Sequence, residues 1–133
     1  MIIENYIISS CLIGKQGIFK NELLLYKNGE VNLPDFFLAA YRNFELNYPK
    51  FHKMDNLSKL GWLATEVLLK DNLPTGKYEA KDIGVVLSNA SSSLDTDIKY
   101  FETTKEIASP ALFVYTLPNI VIGEICIRHH FKG

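Results

Sequence analysis

Asp82-Ile83-Gly84-Val85-Val86-Leu87, running into Ser88-Asn89-Ala90-Ser91-Ser92-Ser93 and then into Leu94 to Lys105, decides the reading of the fold. A short, almost wholly apolar run rich in β-branched residues predicts a strand covered on both faces. The small polar residues behind it predict a loop, and the helix-like segment after them completes the crossover pattern of an α/β domain. Open α/β sheets place ligands at such loops, outside the carboxyl ends of their strands. Ser88–Ser93 is therefore a candidate binding loop. The alternative is a plain connector in which Ser93 caps the next helix. With no glycine in Ser88–Ser93, a phosphate would not approach the backbone closely, which counts against a phosphate site.

Upstream, Ile2, Ile3, Ile7, Ile8, Cys11, Leu12 and Ile13 predict a first buried strand, interrupted by Ser9-Ser10 and ended by Gly14. Ile3–Ile13 and Ile83–Leu87 are then expected as neighbouring parallel strands, joined through a helix that starts near Asn56. Between them, Glu22–Tyr26 and Glu30–Leu33 predict a small β-hairpin over residues 22–33, turning at Asn28-Gly29, two residues that tolerate positive φ. Pro34 and Asp35 suit the first turn of a helix whose apolar face is Phe36, Phe37, Ala40, Tyr41 and Phe44, stopped by Asn47-Tyr48-Pro49.

The clearest helix runs from Asn56 to about Lys70, with Asp55 as N-cap and Leu57, Leu60, Ala64, Val67 and Leu68 as its stripe. Gly61 within that face costs about 1 kcal/mol against alanine, so a close approach by a neighbouring element is expected. Asn72 and Pro74 end the helix. After Ser109–Leu117, Asn119 can cap a last helix, Ile120 to Phe131. That helix is apolar nearly all round and so expected to be buried, with Gly123 allowing tight packing.

The 133 residues make room for one domain, expected over 1–133, and 47% apolar with 22% charged residues is a globular composition. A net charge of −1 without basic runs argues against non-specific nucleic-acid binding and an electrostatic membrane anchor. No apolar run is long enough to predict a membrane span. Met1-Ile2-Ile3-Glu4 carries an acid where a secretory signal needs a base, so a cytoplasmic location is expected. Cys11 and Cys126 read as two buried thiols. His129-His130, adjacent on a helix, point about 100° apart and read as a solvated helix end and not as a metal face. The acidic residues read as solvated. Spacing and motif alone point to no catalytic residue, cofactor site or metal site.

Several segments, in order, resemble the N-terminal part of the β-ketoacyl-[acyl-carrier-protein] synthases (3-oxoacyl-ACP synthases), of the thiolase-like fold. Ile7-Ile8-Ser9-Ser10-Cys11-Leu12-Ile13-Gly14 stands where that family opens with an apolar strand and a glycine. Lys53-Met54-Asp55-Asn56-Leu57-Ser58-Lys59-Leu60 is similar to its "(K/R)MD-x-(L/F)-S-(K/R)-(L/M)" opening of a long helix. Asp82–Asn89 is similar to its "VGVVLGT" strand. Ser109-Pro110-Ala111-Leu112-Phe113, Leu117-Pro118-Asn119, Gly123 and Phe131-Lys132-Gly133 resemble its "SP-x-x-F … LPN … G … (L/F)-(K/R)-G" stretch. Ser88-Asn89-Ala90-Ser91 departs from the family's glycine-rich turn, and the 22–33 segment does not align.

The resemblance implies a thiolase-like N-terminal half, with helices layered on a mostly parallel sheet. It implies an acyltransferase setting, in fatty-acid or polyketide biosynthesis. The family's nucleophilic cysteine and two histidines come after its "KG" segment, so Cys126, His129 and His130 inherit none of those roles. A domain cut before the nucleophile is expected to be inactive alone. It would be a fragment, a subunit needing a partner, or a non-catalytic relative. The alternatives are a non-enzymatic module binding acyl carrier protein or a synthase subunit, and an unrelated small-ligand α/β module. The expected partner is a second copy or a synthase-like subunit, with Ile120, Ile125 and Ile127 at or near the covered surface.

Overall fold

The computed structural model describes residues 1–71 and 76–133. Three strands open the fold: β1 (Cys11–Gly14), β2 (Gly17–Lys20) and β3 (Leu23–Lys27). Five helices follow: α1 (Leu33–Asn43), α2 (Asn56–Leu69), α3 (Leu94–Thr103), α4 (Pro110–Tyr115) and α5 (Ile120–His129). The chain is a small α/β domain, and its sheet, in the order β1-β2-β3, is antiparallel throughout.

The expected mostly parallel sheet is therefore corrected. Ile3–Ile13 becomes a strand only from Cys11, because β2 is four residues long and offers no backbone partner further back. Asn21 closes that end of the ladder: its N–H donates to the Ser10 carbonyl at 2.9 Å, and its side-chain oxygen accepts from the Ser10 N–H at 2.8 Å. Ile2, Ile3, Ile7 and Ile8 stay exposed. Ile83–Leu87 is no strand either. The Ile83 carbonyl accepts from the Gly133 N–H at 3.1 Å, and Val86 is wholly exposed. β-Propensity without a neighbouring strand leaves such a run irregular.

The 22–33 hairpin is replaced by two others. β2 turns into β3 at Asn21 and Glu22, whose φ values of 48° and 69° are those of a type I′ turn. At Asn28 the chain leaves the sheet instead of reversing, because the asparagine is already engaged. Its N–H donates to Gln16 O at 2.9 Å, its side-chain amide to Lys15 O at 3.2 Å, and its side-chain oxygen accepts from the Glu30 N–H at 2.9 Å. Gly17 (φ 146°) lies so close to β3 that a Cβ would stand 1.9 Å from Tyr26 O.

α1 starts as expected but ends at Asn43, short of Asn47-Tyr48-Pro49, with Phe44 as its C-cap and Glu45 turning away at φ 52°. Asn32 caps it by accepting from the Asp35 N–H at 2.9 Å, and Phe36, Phe37, Ala40 and Tyr41 are buried. α2 also starts as expected, with the Asp55 carboxylate accepting from the Ser58 N–H at 3.0 Å. Its last residue is Leu69; Asn72 and Pro74 lie outside the described residues. The buried residues of α2 are Ser58, Trp62, Leu63 and Val67, so the expected stripe shares only Val67 with them, and Leu60 is exposed. The cause is α5, which lies along Gly61: a Cβ there would be 2.5 Å from Val121 Cγ2. The expected close approach at Gly61 is thus present. At Gly123 it is not, since no atom lies within 4 Å of a Cβ built there.

The core sits between the sheet, α1, α2 and α5. It is strongly aromatic: Tyr41 stacks on Phe51 at 4.5 Å and Tyr48 on Trp62 at 5.2 Å. α5 is buried on one face only, through Val121 and Ile125; Ile127 is exposed. Among the described residues, no helix is long and apolar enough to cross a membrane.

Candidate functional site

The seam between α2 and α5 gathers ionisable groups that are distant in the chain. Glu66 is one helical turn beyond Trp62, on the face that α5 covers. Its Oε1 lies 2.6 Å from His129 Nε2 and 3.6 Å from Arg128 Nε. The Glu66 and His129 side chains are both about nine-tenths buried. Although close, the two atoms are bent out of hydrogen-bond alignment, and among the described residues neither accepts or donates another hydrogen bond. Trp62 Nε1 is also buried with no hydrogen-bond partner among the described residues.

A second acid on α5 completes the cluster. Glu124 Oε2 accepts from the Tyr48 hydroxyl at 2.9 Å and lies 3.8 Å from Lys50 Nζ. Tyr48 is fixed on three sides. Its N–H donates to the Tyr41 hydroxyl at 2.6 Å, its ring stacks on Trp62, and the Arg128 guanidinium lies 5.5 Å from its centre. Burial, then the hydrogen bond to the Glu124 carboxylate, pushes the Tyr48 hydroxyl up to about 12. Tyr115 is raised too, first by burial and then by the charges of Glu124 and Asp55.

His129 and the two acids correct the reading of solvated groups: His129 is an interior residue paired with Glu66. His130 is the exposed residue that ends α5, at φ 59°. The signal that could have found the pair is Glu66 itself. An acid four residues after a tryptophan on a buried face requires a partner.

The cysteines are half-buried and unpaired with each other. Burial raises the Cys11 thiol, against the opposing charge of Lys20, so it is not an activated nucleophile. Cys126 packs against the core from α5. In the Ser88–Ser93 loop, Asn89 Oδ1 accepts from the N–H groups of Ser91, at 2.8 Å, and Ser92. Both donors are thereby withdrawn from any anion. Ser93 does not cap α3 through its side chain; its hydroxyl donates to Thr116 O at 2.7 Å and ties α3 to α4.

Of the cavities in the described residues, two are mainly apolar. One, of about 290 Å³, is lined by Ile13, Val31, Leu33, Phe36 and Leu60 with Lys15 and Glu30. The other, of about 520 Å³, opens beside Cys11, Leu12 and Phe19. Among the described residues, no group of three His, Cys, Asp or Glu side chains is placed to hold a metal. The Glu66–His129 contact thus joins α5 to α2, the Tyr48–Glu124 contact joins α5 to the segment before α2, and neither lines a cavity described above. No family model matches the chain, and no curated protein or solved structure matches it.

Proposed function

We propose that this chain is a β-ketoacyl-ACP synthase-like protein of fatty-acid or polyketide-type biosynthesis, related to the N-terminal part of the thiolase-like fold. In this reading it works beside a synthase subunit or acyl carrier protein. The observation that carries the reading is the order of four motifs along nearly the whole chain, from Ile7–Gly14 to Phe131–Gly133. It draws support from how those motifs meet. The helix opened by Lys53-Met54-Asp55 packs on the helix that follows Leu117-Pro118-Asn119, at Gly61 and Val121. The Lys132 and Gly133 N–H groups donate to Ala80 O, at 2.8 Å, and Ile83 O, at 3.1 Å, beside the Asp82–Asn89 motif. Asp55 accepts from Thr96 on α3 at 3.1 Å. The likeness lies in the motif order, since the antiparallel sheet is not the one the family carries.

Residues 1–133 hold no cysteine–histidine–histidine set that this reading could use. Condensation needs a thiolate to take the acyl chain and imidazoles to assist decarboxylation. Cys126 lies about one turn before His129 on α5, but the His129 imidazole stands 2.6 Å from the Glu66 carboxylate, and Cys11 is on β1. The test is to mix the purified chain with malonyl- and acyl-loaded carrier protein, with and without a condensing-enzyme subunit encoded beside it. The expected outcome is no product from the chain alone and a stable complex with the carrier protein or the subunit. Turnover by the chain alone that Cys126→Ala abolishes would overturn the assignment of Cys126. Failure to bind either protein would overturn the reading as a whole.

A further inference from the structure

The cavity of about 290 Å³ at the start of α1 has two kinds of lining. Its walls are apolar: Ile13 of β1, Leu60 of α2, and Val31, Leu33 and Phe36 around the start of α1. Phe36 is buried and forms the floor, while Val31 and Leu33 are exposed and form the mouth. Its rim is polar, and two of the four polar residues there are spent. Asn32 caps α1 and gives its side-chain amide to Asp35 Oδ2 at 2.7 Å. Asn28 bridges the other two: its amide donates to Lys15 O at 3.2 Å, and its side-chain oxygen accepts from the Glu30 N–H at 2.9 Å. One side chain thus ties the backbones of Lys15 and Glu30 to the same rim. The Lys15 ammonium and the Glu30 carboxylate make no ion pair among the described residues, with each other or with another group.

We propose that this cavity binds a small zwitterion with an apolar side chain, the class of a free amino acid such as leucine or phenylalanine. Lys15 takes the carboxylate, Glu30 takes the ammonium, and the apolar walls take the side chain. Apolar walls with a few placed polar groups are the common form of small-ligand sites. Charge selects the class. An apolar acid would bring its carboxylate to the rim that holds Glu30, and an apolar amine its ammonium to the rim that holds Lys15; like charges side by side oppose each of them. A neutral apolar molecule would strip water from both charges and pair with neither. A ligand carrying the two opposite charges on neighbouring atoms answers both. Size selects within the class. At ~30 Å³ per water, a cavity of about 290 Å³ has the room of about ten waters, on the order of the non-hydrogen atoms of leucine or phenylalanine. Glycine would leave the walls uncovered, and a long acyl chain would overfill them. The site stands on the cavity alone and holds whether or not the synthase reading does.

The test is calorimetric titration of the full chain with leucine and with phenylalanine, beside glycine, isocaproate and isoamylamine. Leucine or phenylalanine should bind saturably at millimolar concentration or below. Isocaproate lacks the ammonium and isoamylamine lacks the carboxylate, so each should bind at least ~10-fold more weakly than leucine. Glycine should bind more weakly still. Lys15 and Glu30 are exposed, so Lys15→Ala and Glu30→Ala should fold, and each should weaken leucine binding by ~10-fold. Lys27→Ala, on β3 and outside the cavity lining, should leave it unchanged. Should a variant misfold, judged by circular dichroism, methyl NMR of the unaltered chain takes its place: leucine should shift the resonances of Val31, Leu33 and Leu60 and spare those of Ile127 on α5. The inference is overturned if neither amino acid binds, or if glycine, isocaproate or isoamylamine binds as tightly as leucine. It is equally overturned if binding survives either Lys15→Ala or Glu30→Ala at full strength, or if the methyl shifts fall outside the cavity.

Discussion

Gly61 of α2 and Val121 of α5 meet so closely that a Cβ on the glycine would lie 2.5 Å from Val121 Cγ2. A valine cannot swing this methyl away cheaply, because its branched Cβ leaves it one strongly preferred rotamer on a helix. Gly61→Ala gains about 1 kcal/mol of helix propensity but forces the two helices apart, at a cost of about 1–3 kcal/mol. The expected result is a net loss of stability in urea titration. Gly61→Ala combined with Val121→Ala should recover part of it. A double variant as unstable as the sum of the two single ones would show that the contact does not govern the helix spacing.

Asp55 does two jobs with its two oxygens. Oδ1 accepts from the Ser58 N–H at the start of α2, and Oδ2 accepts from Thr96 on α3 at 3.1 Å. Asp55→Ala removes the cap and leaves the buried Thr96 hydroxyl with poor partners, so a loss of about 2 kcal/mol is expected. Asparagine caps as well as aspartate, so Asp55→Asn should retain most of the stability. Equal losses in the two variants, by urea unfolding, would show that charge and not capping is what Asp55 supplies.

What was legible in the sequence is what neighbours in the chain decide. The Asp55 cap, the Asn56 helix start, the Pro34 helix and the demand of Gly61 for a close neighbour all follow from residues within a turn of one another. The strands failed because a strand is made by its partner. Ile2–Ile8 and Val85–Leu87 have the composition, but no paired backbone lies beside them. Asn28-Gly29 failed as a turn because Asn28 is spent on the β1–β2 connection. The Glu66–His129 contact joins residues far apart in the chain, and only the buried position of Glu66 beside Trp62 hints at it.

That contact makes an asymmetric prediction. Removing one partner of a buried pair leaves the other desolvated and alone, which costs about 3–5 kcal/mol, whereas replacing both with apolar side chains is often close to neutral. Glu66→Leu strands His129 in the interior and leaves Arg128 without its 3.6 Å neighbour. It should therefore be more damaging than Glu66→Leu with His129→Leu together. Chemical denaturation of the three proteins decides it. A double variant less stable than Glu66→Leu would mean that the imidazole is held by something other than the carboxylate.

The Tyr48 hydroxyl gives the chain a dependence on alkaline pH whose sign can be stated. Its ordinary value is 10.0, and in the folded chain burial and the bond to Glu124 push it up to about 12. Between those values the folded chain keeps a proton that the unfolded chain has lost, so stability falls as pH rises. The contribution is complete below pH 10 and gone once the pH passes about 12. Tyr48→Phe cannot titrate and loses the 2.9 Å bond to Glu124, worth about 1 kcal/mol at neutral pH. Its stability should start lower and decline less steeply. Some decline should remain, because Tyr115 is raised in the same direction. Urea midpoints measured for both proteins across this alkaline range should therefore converge as the pH rises. A gap that stays constant would mean that Tyr48 ionises no later in the folded chain than in the unfolded one, and that its bond to Glu124 does not hold the proton.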